Sequence, residues 1–435
     1  MPLPSPSRPA VIRRLPRLAA AAALVALVAA ACGTGDTGSE QRGEATVRRP
    51  PAAAAEAVAD ARTDLAARLY LAVADQRGDD LAVSPLLVTD GLAMVRAGAV
   101  EDTAAELDAV LGTGDIGPTE LLDGVAAAES AVLADTGEQT TENRRGTVSV
   151  RSASSLWLQR GTVVDEAYLD ELAAGLDRGV RLVDFRSDAD SAGDAVNRWA
   201  EQETGGQIRV LAPRGTMGSS TRMALASALT YEAPWAVPFD VTRTTVGDFT
   251  RADGTTTRVP LLRRDAAEGL RLAEGDGWQA VEVPYLGGQL TMVLLVPSGP
   301  DLGPVHQLLA AGGLGEALDG LRRRPVALTL PRFAFTTELD LVAPLTGMGL
   351  VRTTDVDEAQ LDAMAPAESL ALGEVVQQTF VAVDEEGSSQ SAATVSARAT
   401  TPTDLTPVVA DHPFVFVVRH PDSGSVLLIG RVTDP

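Results

Sequence analysis

From Ala55 to Gly78, apolar side chains recur at Val58, Leu65, Leu69, Tyr70 and Val73, a spacing that puts them on one face of a long amphipathic helix. Ser84-Pro85 starts a second helix, with serine as the cap and proline in the first turn. Helical spacing returns near 103–111, 118–134, 166–175 and 190–204. The period changes to two between Thr147 and Gln159, where Val148, Val150, Leu156 and Leu158 share one face, as in a strand with one side buried. From Thr221 onward strands dominate: 222–231, 278–285, 289–297, 325–335, 374–384, 413–419 and 425–432. Helical stretches interrupt them near 304–320 and 338–348. A run of helices followed by a run of strands is the order of an α+β fold.

One segment breaks this pattern. Val381-Ala-Val383 and His412-Pro-Phe-Val-Phe-Val-Val418 are apolar β-type runs, and between them lies a stretch without core-forming residues. It opens Asp384-Glu-Glu-Gly387, continues Ser388-Ser-Gln-Ser-Ala-Ala-Thr394 and reaches Arg398-Ala-Thr-Thr-Pro402. Val395 is the only bulky apolar residue of its first half. A long structureless loop in a compact domain is usually functional or disordered. Small alternating side chains let this one lie exposed as a loop or enter a sheet as a strand.

Composition narrows the partners. The 435 residues are 45% hydrophobic, enough for one large core, and carry a formal charge of −23, which repels a phosphate backbone and argues against nucleic acid. All the basic side chains are arginine, and with the alanine and glycine richness this is the bias of a GC-rich bacterial genome. Arg8, Arg13, Arg14 and Arg17 precede an apolar run from Leu18 to Ala31, too short to span a bilayer, that ends Ala29-Ala-Ala-Cys32-Gly33. This order resembles a bacterial lipobox. It predicts a signal peptide over 1–31 and a lipid on Cys32 that holds the chain on the outer side of the cell membrane; cleavage at Ala31 with secretion is the alternative. The Gly-, Thr- and Pro-rich residues 33–54 read as a flexible tether, so 32–54 precede a domain at 55–435. With a single cysteine, that domain holds no internal disulfide.

Candidate catalytic and ligand chemistry finds no footing. Gly33-Thr-Gly-Asp-Thr-Gly38 lies in the tether and Gly112-Thr-Gly-Asp-Ile-Gly117 follows a helix, so neither has the strand-turn-helix setting of a dinucleotide site. His306, His412 and His420 lack metal-ligand spacing, and His412 reads as a core residue. There is no Gly-x-Ser-x-Gly elbow. Asp188-Ala-Asp190 and Asp355-Val-Asp-Glu358 lack the glycine and closing glutamate of a calcium loop. Trp235 and Phe239 read as a core corner, and Asn197-Arg-Trp199 as a helix face packed on a sheet. Neither a cofactor nor a metal is expected.

Six motifs in order give the chain a resemblance to the serpins over about residues 55–435. They are Val83-Ser-Pro-Leu86, Leu229-Thr-Tyr-Glu-Ala-Pro-Trp235 with Pro238-Phe-Asp240, Val283-Pro-Tyr285, Leu330-Pro-Arg-Phe333, the hinge Glu385-Glu386-Gly387-Ser388 followed by Ala392-Ala-Thr394, and Asp411-His-Pro-Phe414 with Gly430-Arg-Val432. The resemblance implies helices on three mainly antiparallel sheets, an exposed reactive-centre loop and no catalytic residues. It implies a monomer that inhibits serine proteases as a suicide substrate: the cut loop, residues 388–401, inserts into a sheet and traps the acyl-enzyme. Ser388, Gln390, Ala392 and Thr394 are the inward positions of the inserting strand, and Gln390 stands where small residues are usual. Family spacing puts the scissile bond near Thr401, but Pro402 follows it. Arg398–Ala399, Thr400–Thr401 and Thr403–Asp404 are the alternatives, and small side chains there favour an elastase-like or subtilisin-like protease. Under the sheet opening, Ser84 matches the family, while Leu87, Ser227 and Gln377 replace serine, asparagine and histidine. The alternative function is a non-inhibitory serpin acting as a cell-surface binding protein.

Overall fold

The computed structural model describes residues 38–114, 116–141, 144–265, 270–388 and 405–435. The helices are α1 (Ala52–Ala74), α2 (Pro85–Gly98), α3 (Glu101–Leu111), α4 (Pro118–Ala134), α5 (Glu166–Leu176), α6 (Ala189–Glu203), α7 (Gly303–Ala310), α8 (Leu314–Asp319) and α9 (Val342–Gly347). Local chemistry sets several of their ends. The Ser84 hydroxyl accepts from Leu87 N at 3.2 Å and Pro85 fills the first turn of α2, while Asp165 caps α5 through Ala167 N and Tyr168 N. α3 stops at Gly112, whose φ of 74° suits a residue without Cβ, so this glycine string is a turn.

Three sheets carry the strands. The largest runs β1 (Ser39–Gln41), β5 (Val180–Val183), β4 (Arg145–Gln159), β6 (Met223–Pro234), β15 (Leu372–Val383), β14 (Phe333–Asp340), with β3 (Gly137–Thr140) on β4 and β16 (Gly387–Ser388) on β6. The second runs β12 (Arg322–Arg323), β9 (Arg271–Gly275), β10 (Trp278–Pro284), β11 (Thr291–Pro297), β18 (Phe414–His420), β19 (Ser425–Val432), β2 (Leu81–Val83). The third is β17 (Thr406–Val409), β13 (Val326–Pro331), β8 (Thr256–Arg264), β7 (Thr245–Thr250). One apolar cluster joins α1, α2, α4 and α5 to the large sheet, and a second fills the space between the sheets around Trp235, Tyr285, Phe333 and Phe416. A third holds α6 on the opposite face through Trp199 and Trp157, whose rings meet edge to face at 5.9 Å.

The large sheet is incomplete at its centre. β6 and β15 are parallel and pair only from Met223–Leu372 to Leu229–Thr379, although β6 runs on to Pro234 and β15 to Val383. Their outer sides stay paired: β4 holds β6 up to Ser149–Glu232, and β14 holds β15 up to Phe333–Val383. A cleft therefore opens between two strands that are each fixed from outside. It holds a cavity of about 480 Å³ lined by Tyr231, Glu232, Thr336, Gln378, Phe380, Ala382 and Ser388, among others.

The structure departs from the sequence pattern in several places. The apolar run 325–335 is two strands in two sheets, divided at Arg332, where the chain turns after Pro331. The helix expected over 338–348 shrinks to Val342–Gly347, because Glu338 to Asp340 continue the alternation of β14. β7, β8 and β9 carry threonine and arginine on their outer faces and give no clear apolar period. Residues 38–51, read as part of a flexible tether, lie along the domain. β1 pairs with β5, Glu44 N and Ala45 N donate to Asp170, and Arg48 bridges Asp123 of α4 and Glu171 of α5. His412, expected in the core, is half-buried; the buried histidine is His420, bonded to Asp135 and Ser423.

Candidate functional site

After Val383 the chain reverses and comes back between β15 and β6. Asp384 builds the turn: its Oδ1 accepts from Glu386 N at 2.8 Å and Gly387 N at 3.0 Å, and its own N donates to Gly387 O. Burial pushes its carboxyl up, and those two amides counter only part of the effect. Gly387 has φ of 152°, and a Cβ there would meet Ala233 O at 2.3 Å and Pro234 Cα at 2.5 Å. Only glycine fits so close to a neighbouring backbone.

Four hinge residues are clamped. Glu385 is buried and takes Arg332 at 2.5 and 2.6 Å on its two oxygens, with Thr244 Oγ1 donating at 2.8 Å. Burial alone would push the Glu385 carboxyl up; Arg332 and Thr244 together hold it below the usual range. Glu386 pairs with Arg144 at 2.7 Å, and burial holds its carboxyl up despite this partner. The carbonyls of Glu386 and Glu385 accept from Trp235 N and Phe239 N, and Trp235 Nε1 donates to Asp384 O at 2.9 Å. Ser388 is 2% exposed and pairs with Ala233. Its hydroxyl lies 2.8 Å from Tyr285 Oη and donates to Tyr231 Oη at 3.2 Å.

The four residues expected under the opening come together. Gln377 receives Ser84 N on Oε1 at 2.6 Å and returns a bond from Nε2 to Ser84 O. Ser227 faces Gln377 across β6 and β15, and its hydroxyl donates to Ser154, which donates to Leu87 O. All four are buried. The substitutions at these positions thus leave a closed set of hydrogen bonds rather than orphaned groups.

Gln390, Ala392, Thr394, Arg398, Ala399, Thr400, Thr401, Pro402 and Thr403 lie outside the described residues, as does Cys32. No local sequence signal marks Arg144 or Thr244 as partners of the hinge glutamates. Tyr231, Tyr285 and Arg332 stand in the motifs of the serpin resemblance, so their positions are visible in the sequence while their partners are not. Trp235 stacks on Tyr285 with centroids 4.5 Å apart, in keeping with a core corner rather than a ligand platform. Among the described residues no group of three or more His, Cys, Asp or Glu is placed to hold a metal.

Comparison with known proteins gives one answer. A family model described as Serpin (serine protease inhibitor) matches residues 60–435. The chain is similar to human serpin B3, 28% identical over 390 residues, covering 87% of this chain and 99% of that protein. It is similar to an uncharacterised serpin-like protein of Methanosarcina acetivorans, 27% identical over 307 residues, covering 68% and 72%. A solved Arabidopsis serpin in its native stressed conformation shares the fold at a TM-score of 0.76, with 24% identity, covering 88% of this chain and 98% of that one. With hinge, cleft and family match in agreement, the chain belongs to the serpins, protease inhibitors that are not themselves enzymes.

Proposed function

We propose that this serpin traps serine proteases as a suicide substrate, with the loop that follows Ser388 as bait and the cleft between β6 and β15 as its destination. The observation that carries this reading is the cleft itself: two parallel strands held from outside and unpaired above Leu229–Thr379, with the loop's first residues already at its mouth. A strand entering there runs antiparallel to β6 and gains backbone partners on both sides. Continuing the Ser388–Ala233 register would put residue 390 opposite Tyr231, in the open part, and residue 394 opposite Ser227. There the Thr394 hydroxyl would meet the Ser227–Gln377 rung, while entry from residue 392 onward, opposite Leu229, requires β6 and β15 to part. About a dozen inserted residues at roughly 1 kcal/mol each supply on the order of 10 kcal/mol, comparable with the stability of a whole domain. Burying the Gln390 amide with imperfect partners opposes this by roughly 1–3 kcal/mol, too little to reverse insertion but enough to slow it.

The small residues around 399–401 favour an elastase-like or subtilisin-like enzyme cutting between Arg398 and Thr403. The basic, apolar, small-residue and cysteine order of residues 8–32 supports a lipid on Cys32 and a place on the outer face of a bacterial membrane. Incubating the domain with a panel of serine proteases tests the main reading. The expected result is a complex that survives denaturant and contains both chains. Cleaved inhibitor beside fully active protease, for every enzyme tried, would leave a non-inhibitory binding protein.

A further inference from the structure

The residues that lead into the loop are already seated in the large sheet. Ser388 is the last described residue before the loop, and it sits inside the sheet rather than above it, 2% exposed and paired with Ala233. Its hydroxyl is held by two phenols from different sheets: Tyr231 on β6 and Tyr285 just after β10. The two phenols are packed on aromatic neighbours. Tyr285 lies flat on Trp235, with rings 4.5 Å apart and 3° from parallel, and Tyr231 meets Tyr285 edge to face at 6.2 Å. Burial pushes both phenols up, so they stay protonated and able to donate. Withdrawing Ser388 would take one hydrogen-bond partner from each of two buried hydroxyls.

We propose that Tyr231 and Tyr285 act as a latch that seats Ser388 in the cleft of the uncleaved protein, and that this seat sets how often a protease is trapped rather than released. The proposal rests on the trapping reading above. After the loop is cut, insertion races hydrolysis of the acyl-enzyme. A strand whose first inward residue is already seated in register starts that race one rung ahead. Neither phenol lies on the loop that a protease reads, so the latch acts on partition and leaves recognition alone. Tyr231 and Tyr285 are therefore positioning residues.

The test compares the wild type with Tyr231→Phe/Tyr285→Phe, Ser388→Ala, Ser388→Thr and the combined triple variant carrying both phenylalanines and Ser388→Ala. Two quantities are read: hydrogen exchange of the 384–388 backbone in the uncleaved protein, and inhibitor molecules consumed per protease trapped. Losing these bonds is expected to speed exchange by about tenfold and to raise consumption about threefold or more, with the rate of first loop cleavage unchanged. Ser388→Ala should match the double phenylalanine variant, the triple variant should add nothing, and Ser388→Thr, which keeps the hydroxyl, should behave as wild type. Unchanged exchange in both the phenylalanine and alanine variants would overturn the latch. Faster exchange with unchanged consumption would overturn its effect on trapping. If the wild type forms no covalent complex, the trapping reading falls and takes the partition effect with it, while the exchange arm still decides the latch. Ser388→Ala removes one oxygen and leaves the aromatic stack intact, which guards against a misfolded double variant.

Discussion

Ser388 shows how much a single small side chain decides. Its oxygen lies between two phenols, and the side chain is buried. Ser388→Arg should abolish the denaturant-stable complex while leaving loop cleavage intact, because an unpaired buried charge costs several kcal/mol and about 1.4 kcal/mol already shifts the race tenfold. A gel showing an undiminished covalent band would mean that another segment inserts. Asp90 makes a different residue-scale case. It lies in α2, 1% exposed, with Arg62 of α1 at 3.6 Å as its ion-pair partner, and neither side chain makes a hydrogen bond among the described residues. Burial, reinforced by Glu129, pushes the Asp90 carboxyl from 3.8 to about 7, against the pull of Arg178 and Arg62. The folded protein then keeps this proton where the unfolded chain has released it. Stability therefore falls as pH rises from about 4 to about 7, and the penalty is complete above that. In Asp90→Asn the difference in Tm from wild type should grow more positive between pH 5 and pH 8; a constant difference would show that Asp90 does not titrate in this window.

At the scale of elements, the informative pieces are those whose composition hid them. The segment 38–51 has no apolar period, yet β1 completes the edge of the large sheet and Arg48 ties α4 to α5. Both Arg48 pairs are partly exposed, so together they contribute on the order of 1 kcal/mol. Arg48→Ala should lower Tm by about 2 °C or less in low salt, and the difference should shrink at high salt. Equal loss at both salt concentrations would place the contribution in packing instead. β14 and β13 make the opposite case: a single apolar run became two strands, one ending at Pro331 and the next starting at Phe333, with Arg332 between them bonded to Pro260 O of β8 and to Glu385. Hydrophobic pattern located both strands and gave no sign of the change of sheet.

For the molecule as a whole, the open cleft means that the sheet has unmet pairing capacity. Cutting the loop between 396 and 403 should raise Tm substantially, since the freed strand gains partners on β6 and β15. A cleaved protein that melts with the intact one would exclude insertion. Anchoring is a molecule-scale property too. Detergent-phase partitioning should depend on Cys32 and be lost in Cys32→Ser; partitioning that persists would remove the lipid.

Much of this protein can be read without coordinates. Periodicity sets the long helices and the buried strands, because an amphipathic face of either kind must repeat at 3.6 or 2 residues to meet one core. Ser84-Pro85 marks the start of α2, and the small alternating residues after Glu386 mark a segment that can be loop or strand. Those are local properties, so local sequence carries them. The partners of the hinge are not local. Arg144 meets Glu386 across 242 positions, Arg332 meets Glu385 across 53, and Tyr231 and Tyr285 close on Ser388 across 157 and 103. No spacing rule links residues so far apart, and only the packing of three sheets brings them together. The same packing leaves β6 and β15 unpaired above Leu229, with Ser388 seated at the edge of that gap.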